Sequence, residues 1–103
     1  AADKLPRALK LAVDDAELHA DGIDMTRLSF QVVDKFDMRL PHAHAVVTFQ
    51  IEGEADLIGV NPFPLAGGQA GLYLKARHTA GVVTIRATAH PYGFTAETQV
   101  TIG

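Results

Sequence analysis

Apolar residues recur along this chain with a period of two, and that alternation restricts the fold more than any other feature. Leu9, Leu11 and Val13 alternate with Ala8, Lys10 and Ala12 before Asp14-Asp15 closes the run. Leu28, Phe30 and Val32 alternate with Arg27, Ser29 and Gln31, and Val47, Phe49 and Ile51 with Thr48 and Gln50. Leu72, Leu74 and Ala76 alternate with Tyr73, Lys75 and Arg77. Val83, Ile85, Ala87 and Ala89 alternate with Thr84, Arg86 and Thr88, while Phe94, Ala96, Val100 and Ile102 share one phase. Successive side chains of a strand point to opposite faces, so each run offers one apolar face and one wet face. Antiparallel sheets packed on one side have this pattern. No stretch shows an apolar period near 3.6 over the length of a helix.

Turn residues fall between the runs: Asp21-Gly22, Asp34 to Arg39, Glu52-Gly53-Glu54, Gly67-Gly68, Ala80-Gly81 and Pro91-Tyr92-Gly93. The spacing predicts strands near residues 9–13, 26–33, 45–52, 55–60, 71–77, 82–90 and 94–102. Short strands separated this often imply a sandwich or a barrel. The expected core is Leu11, Val13, Leu28, Phe30, Val32, Val47, Phe49, Ile51, Leu72, Leu74, Val83, Ile85, Val100 and Ile102. Residues 61–70 read as the longest irregular segment, because Pro62 and Pro64 cannot donate to a ladder. Phe63 and Leu65 are expected to be exposed there. A length of 103 residues fits one domain. Its expected parts are a lead-in over residues 1–8 and the packed domain over residues 9–103. An odd number of antiparallel strands would put the two ends at opposite poles. The chain starts at Ala1 with no leader-like apolar run behind it. That suggests a piece of a longer protein, with any targeting information elsewhere and the compartment left open.

Chemistry is sparse. The formal net charge is −3 and no basic stripe accompanies it, which argues against a nucleic acid partner. The apolar runs are too short for a membrane-spanning helix. There is no cysteine, so disulfides and thiolate metal sites are excluded. His42 and His44 would share a face if they lay on a strand, but no third ligand is evident and a loop leading into Val46 explains them without a metal. His19, His78 and His90 stand singly. The acids Asp14, Asp15, Asp21, Asp24, Asp34, Asp37, Glu52, Glu54 and Asp56 sit at turns and strand ends, where turn geometry and solubility account for them. A glycosidase needs two carboxylates converging on one bond. No nucleophile motif is present, and the glycine-rich stretch Gly67 to Gly71 precedes a strand rather than the helix a phosphate site requires. Tyr73, Tyr92, Phe36 and Phe63 are the candidate exposed aromatics, suited to core, docking or sugar-stacking roles.

One further pattern points to a family. Ala20-Asp21-Gly22-Ile23-Asp24 is followed by Leu28-Ser29-Phe30-Gln31-Val32-Val33-Asp34, then by Leu40-Pro41-His42-Ala43. Val47-Thr48-Phe49-Gln50-Ile51-Glu52-Gly53 and Leu57-Ile58-Gly59-Val60-Asn61 come next, and Gly81-Val82-Val83-Thr84-Ile85-Arg86-Ala87-Thr88-Ala89 closes the series. This order of turns and core positions, over about residues 9–102, resembles the C-terminal immunoglobulin-like domain of bacterial glycoside hydrolase family 2 enzymes, the β-galactosidase type. Immunoglobulin-like domains of the invasin and intimin type share much of it, and the phrase from Leu57 to Asn61 favours the hydrolase. The segment from Pro62 to Gly71 is shorter than the loop usual in that family. The resemblance implies an all-β, immunoglobulin-like two-sheet sandwich of about seven antiparallel strands. It implies a non-catalytic accessory domain, because the catalytic glutamates of such enzymes stand on a separate (β/α)8 barrel whose motifs match no position here. No catalytic, cofactor-binding or metal residue and no cofactor is therefore carried over. The expected partners are other domains of the parent chain, and the isolated domain is expected to be monomeric. The alternatives are a spacer of a bacterial surface adhesin and a carbohydrate-binding module.

Overall fold

A computed structural model describes residues 5–38, 40, 44–59, 61–66 and 69–103. Its strands are β1 Ala8–Val13, β2 Glu17–Leu18, β3 Met25–Val33, β4 His44–Glu52, β5 Ala55–Ile58, β6 Phe63–Ala66, β7 Gln69–Ala76, β8 Gly81–His90 and β9 Phe94–Ile102. They form a four-stranded sheet, β1-β3-β7-β5, and a five-stranded sheet, β2-β9-β8-β4-β6. All pairings are antiparallel except that of β2 with β9. The fold is the expected all-β sandwich, built from nine strands among the described residues rather than seven. The difference has a physical origin. β1 and β2 run in the same direction but belong to different sheets, and so do β5 and β6. Each pair is one pass of the chain that crosses from one sheet to the other.

The second crossing is built by two residues of the Leu57 to Asn61 phrase. Gly59 has φ +137°, and a Cβ there would stand 2.3 Å from Cδ2 of the buried Leu72. Asn61 replaces a missing strand neighbour: its Oδ1 accepts the Phe49 N–H at 3.0 Å and its Nδ2 donates to the Phe49 carbonyl at 3.1 Å. The first crossing is held by Thr26, a buried hydroxyl whose Oγ1 accepts the Asp15 N–H at 2.8 Å. Val60, Gly67 and Gly68 lie outside the described residues.

Residues 61–70 are not irregular throughout. Phe63–Ala66 pairs with His44–Val47 as the edge strand β6, with Pro64 opposite Val46. An edge strand tolerates proline because one side of it has no ladder to supply. Phe63 and Leu65 are not exposed as expected. Leu65 is buried and Phe63 is half-buried with its ring edge-on to Phe30, centroids 5.5 Å apart.

The core lies between the sheets. Phe30 packs edge-to-face with Phe49 at 5.0 Å, surrounded by Leu28, Val32, Val47, Leu72, Leu74, Val83, Ile85, Val100 and Ile102, all buried as the alternation requires. Leu11, Val13 and Ile51 are only half-buried, since β1 is an edge strand and Ile51 sits next to the Gly53 turn. Leu9, Leu18, Leu40 and Leu65 complete the core. The start of β1 pairs with Val33 and the end of β9 with Gly81, so the two ends of the sandwich path stand at opposite poles.

Candidate interface surfaces

Most of the described carboxylates are engaged by turn N–H groups or by basic side chains. Asp21 Oδ1 accepts the N–H groups of Ile23 and Asp24 at 2.9 and 2.8 Å, and these hydrogen bonds hold its carboxyl below the usual aspartate value. Asp24 accepts from the His19 N–H and Asp15 from the Glu17 N–H. Glu54 and Asp56 both grip Arg77, at 3.1 and 2.6 Å. The Arg77 hydrogen bond is the main reason Asp56 titrates low, and the two acids push the guanidinium upward. Glu52 and Glu97 clasp Arg86 across the outer face of the five-stranded sheet, at 3.3 and 3.0 Å. Lys10 pairs with Asp37. Asp34 is the one buried acid among the described residues. Its Oδ1 accepts from the Phe36 and Met38 N–H groups at 2.8 and 3.1 Å and so organises the turn after β3.

Histidines are dispersed as well. His44 opens β4 and lines an open depression of 340 Å³ with Val46, Pro64 and His90; the His90 Nε2 is 3.3 Å from the Thr48 hydroxyl. His42 lies outside the described residues. His19 lines an open depression together with Asp15, Glu17 and Thr101, and the His78 ring covers Gly22 so closely that a Cβ there would meet Nε2 at 2.5 Å. Among the described residues no group of three His, Asp or Glu side chains is arranged to hold a metal ion.

The aromatics separate into two kinds. Tyr92 lies flat on Phe94 at 5.2 Å, and Phe36 sits under the Lys35 ammonium. Tyr73 is different: it stands 46% exposed on the outer face of the four-stranded sheet. There it is opposite Arg27 on one side and Ile58 on the other. Met25, paired with Lys75, is on the same face. Apolar residues in the outward phase of β3, β5 and β7 are the signal in the sequence that could have marked this surface, and only Tyr73 was singled out.

The family model for glycoside hydrolase family 2 C-terminal domain 5 matches residues 9–98. The chain belongs to this family. A β-galactosidase of Thermoanaerobacter pseudethanolicus is 42% identical over 85 residues, a match that covers 82% of this chain and 11% of that protein. A β-galactosidase of Rhizobium radiobacter is 33% identical over 92 residues, covering 89% of this chain and 67% of that one. The family 2 domain thus spans about a tenth of the longer relative. Among solved structures, a glycosyl hydrolase family 2 member from Bacteroides cellulosilyticus superposes with a TM-score of 0.86 at 22% identity, over 96% of this chain and 14% of its own. The D00-D0 domain of intimin gives 0.75 at 19% identity, over 96% of this chain and 49% of its own, a likeness of fold alone.

Proposed function

We propose that this family 2 C-terminal domain is a non-catalytic accessory unit of a β-galactosidase-like enzyme, acting through contact with other domains of the parent chain. It folds over residues 9–103 around its own core, as a monomer, and supplies no catalytic, cofactor-binding or metal residue. The observation that carries this reading is the engagement of the carboxylates. Asp15, Asp21, Asp24 and Asp34 bind turn N–H groups, and Glu52, Glu54, Asp56 and Glu97 bind Arg77 or Arg86. Glycoside hydrolysis needs an acid and a base or nucleophile facing one bond across a space that admits sugar. Here four acids bind turn N–H groups, four are held in pairs by arginines, and the space between the sheets is filled by side chains. Chain length agrees, since the long relative devotes 11% of itself to the matching part.

The test is deletion of this domain from the full-length gene product. Loss of stability, of assembly or of turnover on a chromogenic galactoside is the expected outcome. Unchanged stability, assembly and kinetics would make the domain a spacer.

A further inference from the structure

We infer that the pole of the sandwich carrying Leu5, Phe36, Met38 and Tyr92 docks on an apolar surface of the domain that precedes this one in the parent chain. The inference rests on the accessory reading above and adds the surface and the domain it meets.

The path of the chain selects this pole. Exposed apolar side chains occur elsewhere, with Ile23 at the opposite pole and Met25, Val46, Ile58, Tyr73 and Val82 on the outer faces of the two sheets, so composition alone selects nothing. Arg7 donates to the Val33 carbonyl and Ala8 pairs with Val33, so the chain reaches β1 at the pole where β3 ends. β4 starts and β8 ends there as well, because His90 is opposite Val46. The connection from β3 to β4 and the Pro91-Tyr92-Gly93 turn therefore share that pole with Leu5. The matching family domain is a C-terminal one, and the part of the Thermoanaerobacter protein that matches this chain is 11% of it. The body of such a parent comes before β1 and arrives at this pole, while β9 ends at the other.

The pole is also shaped for a contact. Phe36 and Met38 are 57% and 62% exposed, yet the turn that carries them is fixed. The buried Asp34 carboxylate accepts both of their N–H groups, and the Asp34 N–H donates to the Met38 carbonyl at 3.0 Å. Asp37, at φ 67°, donates to the Asp34 carbonyl at 3.1 Å, and Lys10 ties its carboxylate to β1. Two large apolar side chains thus stand on a backbone that is already ordered, so docking them costs little further conformational entropy. Tyr92 is likewise braced flat on Phe94. Methionine and aromatic residues are enriched at the centres of protein interfaces, and Asp and Glu are depleted. Among the described residues the acids of this pole are Asp34 and Asp37, one spent on the turn and the other on Lys10. The opposite pole carries Asp15, Glu17, Asp21, Asp24, Glu52 and Glu54, whose carboxylates a contact would strip of water at a cost. What Leu5, Phe36, Met38 and Tyr92 offer is mostly hydrocarbon and aromatic ring, so the complementary surface is apolar.

Hydroxyl-radical labelling of the full-length gene product, read peptide by peptide, tests the assignment with internal controls. Met25 and Tyr73, 48% and 46% exposed on the flank of the four-stranded sheet, are the controls for Met38 and Tyr92, which are 62% and 39% exposed in the domain alone. Docking predicts that Met38 and Tyr92 label about fivefold or more slowly than Met25 and Tyr73, as for residues in the dry centre of an interface. Phe36→Glu, at an exposed position, puts a carboxylate into that contact and should bring Met38 and Tyr92 up to the control rates. Equal rates in the unmodified protein would overturn the assignment. So would protection that vanishes on dilution, which would mean a second copy of the chain. If Met38 labels freely while deletion of the domain still lowers stability or turnover, the accessory reading survives and this pole is wrong. If deletion also changes nothing, both fail.

Discussion

Asn61 holds the Phe49 backbone with both arms of its amide, beyond the point where β6 stops pairing with β4. Removing the amide leaves a part-buried N–H and C=O without partners. Asn61→Ala should therefore cost about 1–3 kcal/mol in a denaturant melt, the penalty for orphaned polar groups. An outward change such as Gln50→Ala should stay within about 0.5 kcal/mol. Phe49 itself makes a larger contribution. It is buried, and its ring abuts Phe30. Phe49→Ala should cost about 3–5 kcal/mol through lost burial and the residual cavity, much of the roughly 5–15 kcal/mol a domain of this kind possesses. A loss below about 1 kcal/mol, against that expectation, would mean the strand register is wrong by one residue. Both residues belong to phrases that carried the family resemblance in the sequence. The structure supplies the physical reason: Gly59 and Asn61 make the chain change sheets, and Phe49 fills the core behind that crossing.

At the scale of elements, the long strands were legible because β3, β4, β7, β8 and β9 each bury one face, and a single buried face leaves a period-two trace. The short elements left little or none. β2 is two residues long, too brief to show any period. β6 does alternate, with Phe63 and Leu65 inward and Pro64 outward, but Pro64 and the Pro62 just before the strand outweighed the alternation because they imply missing donors. Only the topology, which puts β6 at a sheet edge, removes that objection. The exposed cluster on the four-stranded sheet was hidden for a related reason: Met25, Arg27, Ile58 and Tyr73 are separated in sequence and become neighbours only through pairing of β3, β7 and β5. The turns joining these elements respond to acid. Asp21 and Asp56 are held below their ordinary value, by turn N–H groups and by Arg77 respectively. A lowered folded value contributes stability above the unfolded value, about 3.9, and that contribution is lost as pH falls through the folded value. The melting temperature should be insensitive to these two groups from neutral pH down to about 5 and decline below about 4. A decline that begins near neutrality would point to other groups, the histidines first.

For the molecule as a whole, two sheets close on one continuous core, and most of the described carboxylates named above are engaged by turn N–H groups or by basic side chains. A structure of that kind can fold alone and still do nothing alone. The most direct measurement is therefore made on the purified 103-residue chain: its thermal unfolding, together with its turnover of a chromogenic galactoside at high protein concentration. The account predicts one cooperative transition of a monomer and no hydrolysis above background. Turnover that survives repurification and is abolished by Asp34→Asn, the substitution at the buried carboxylate, would contradict it.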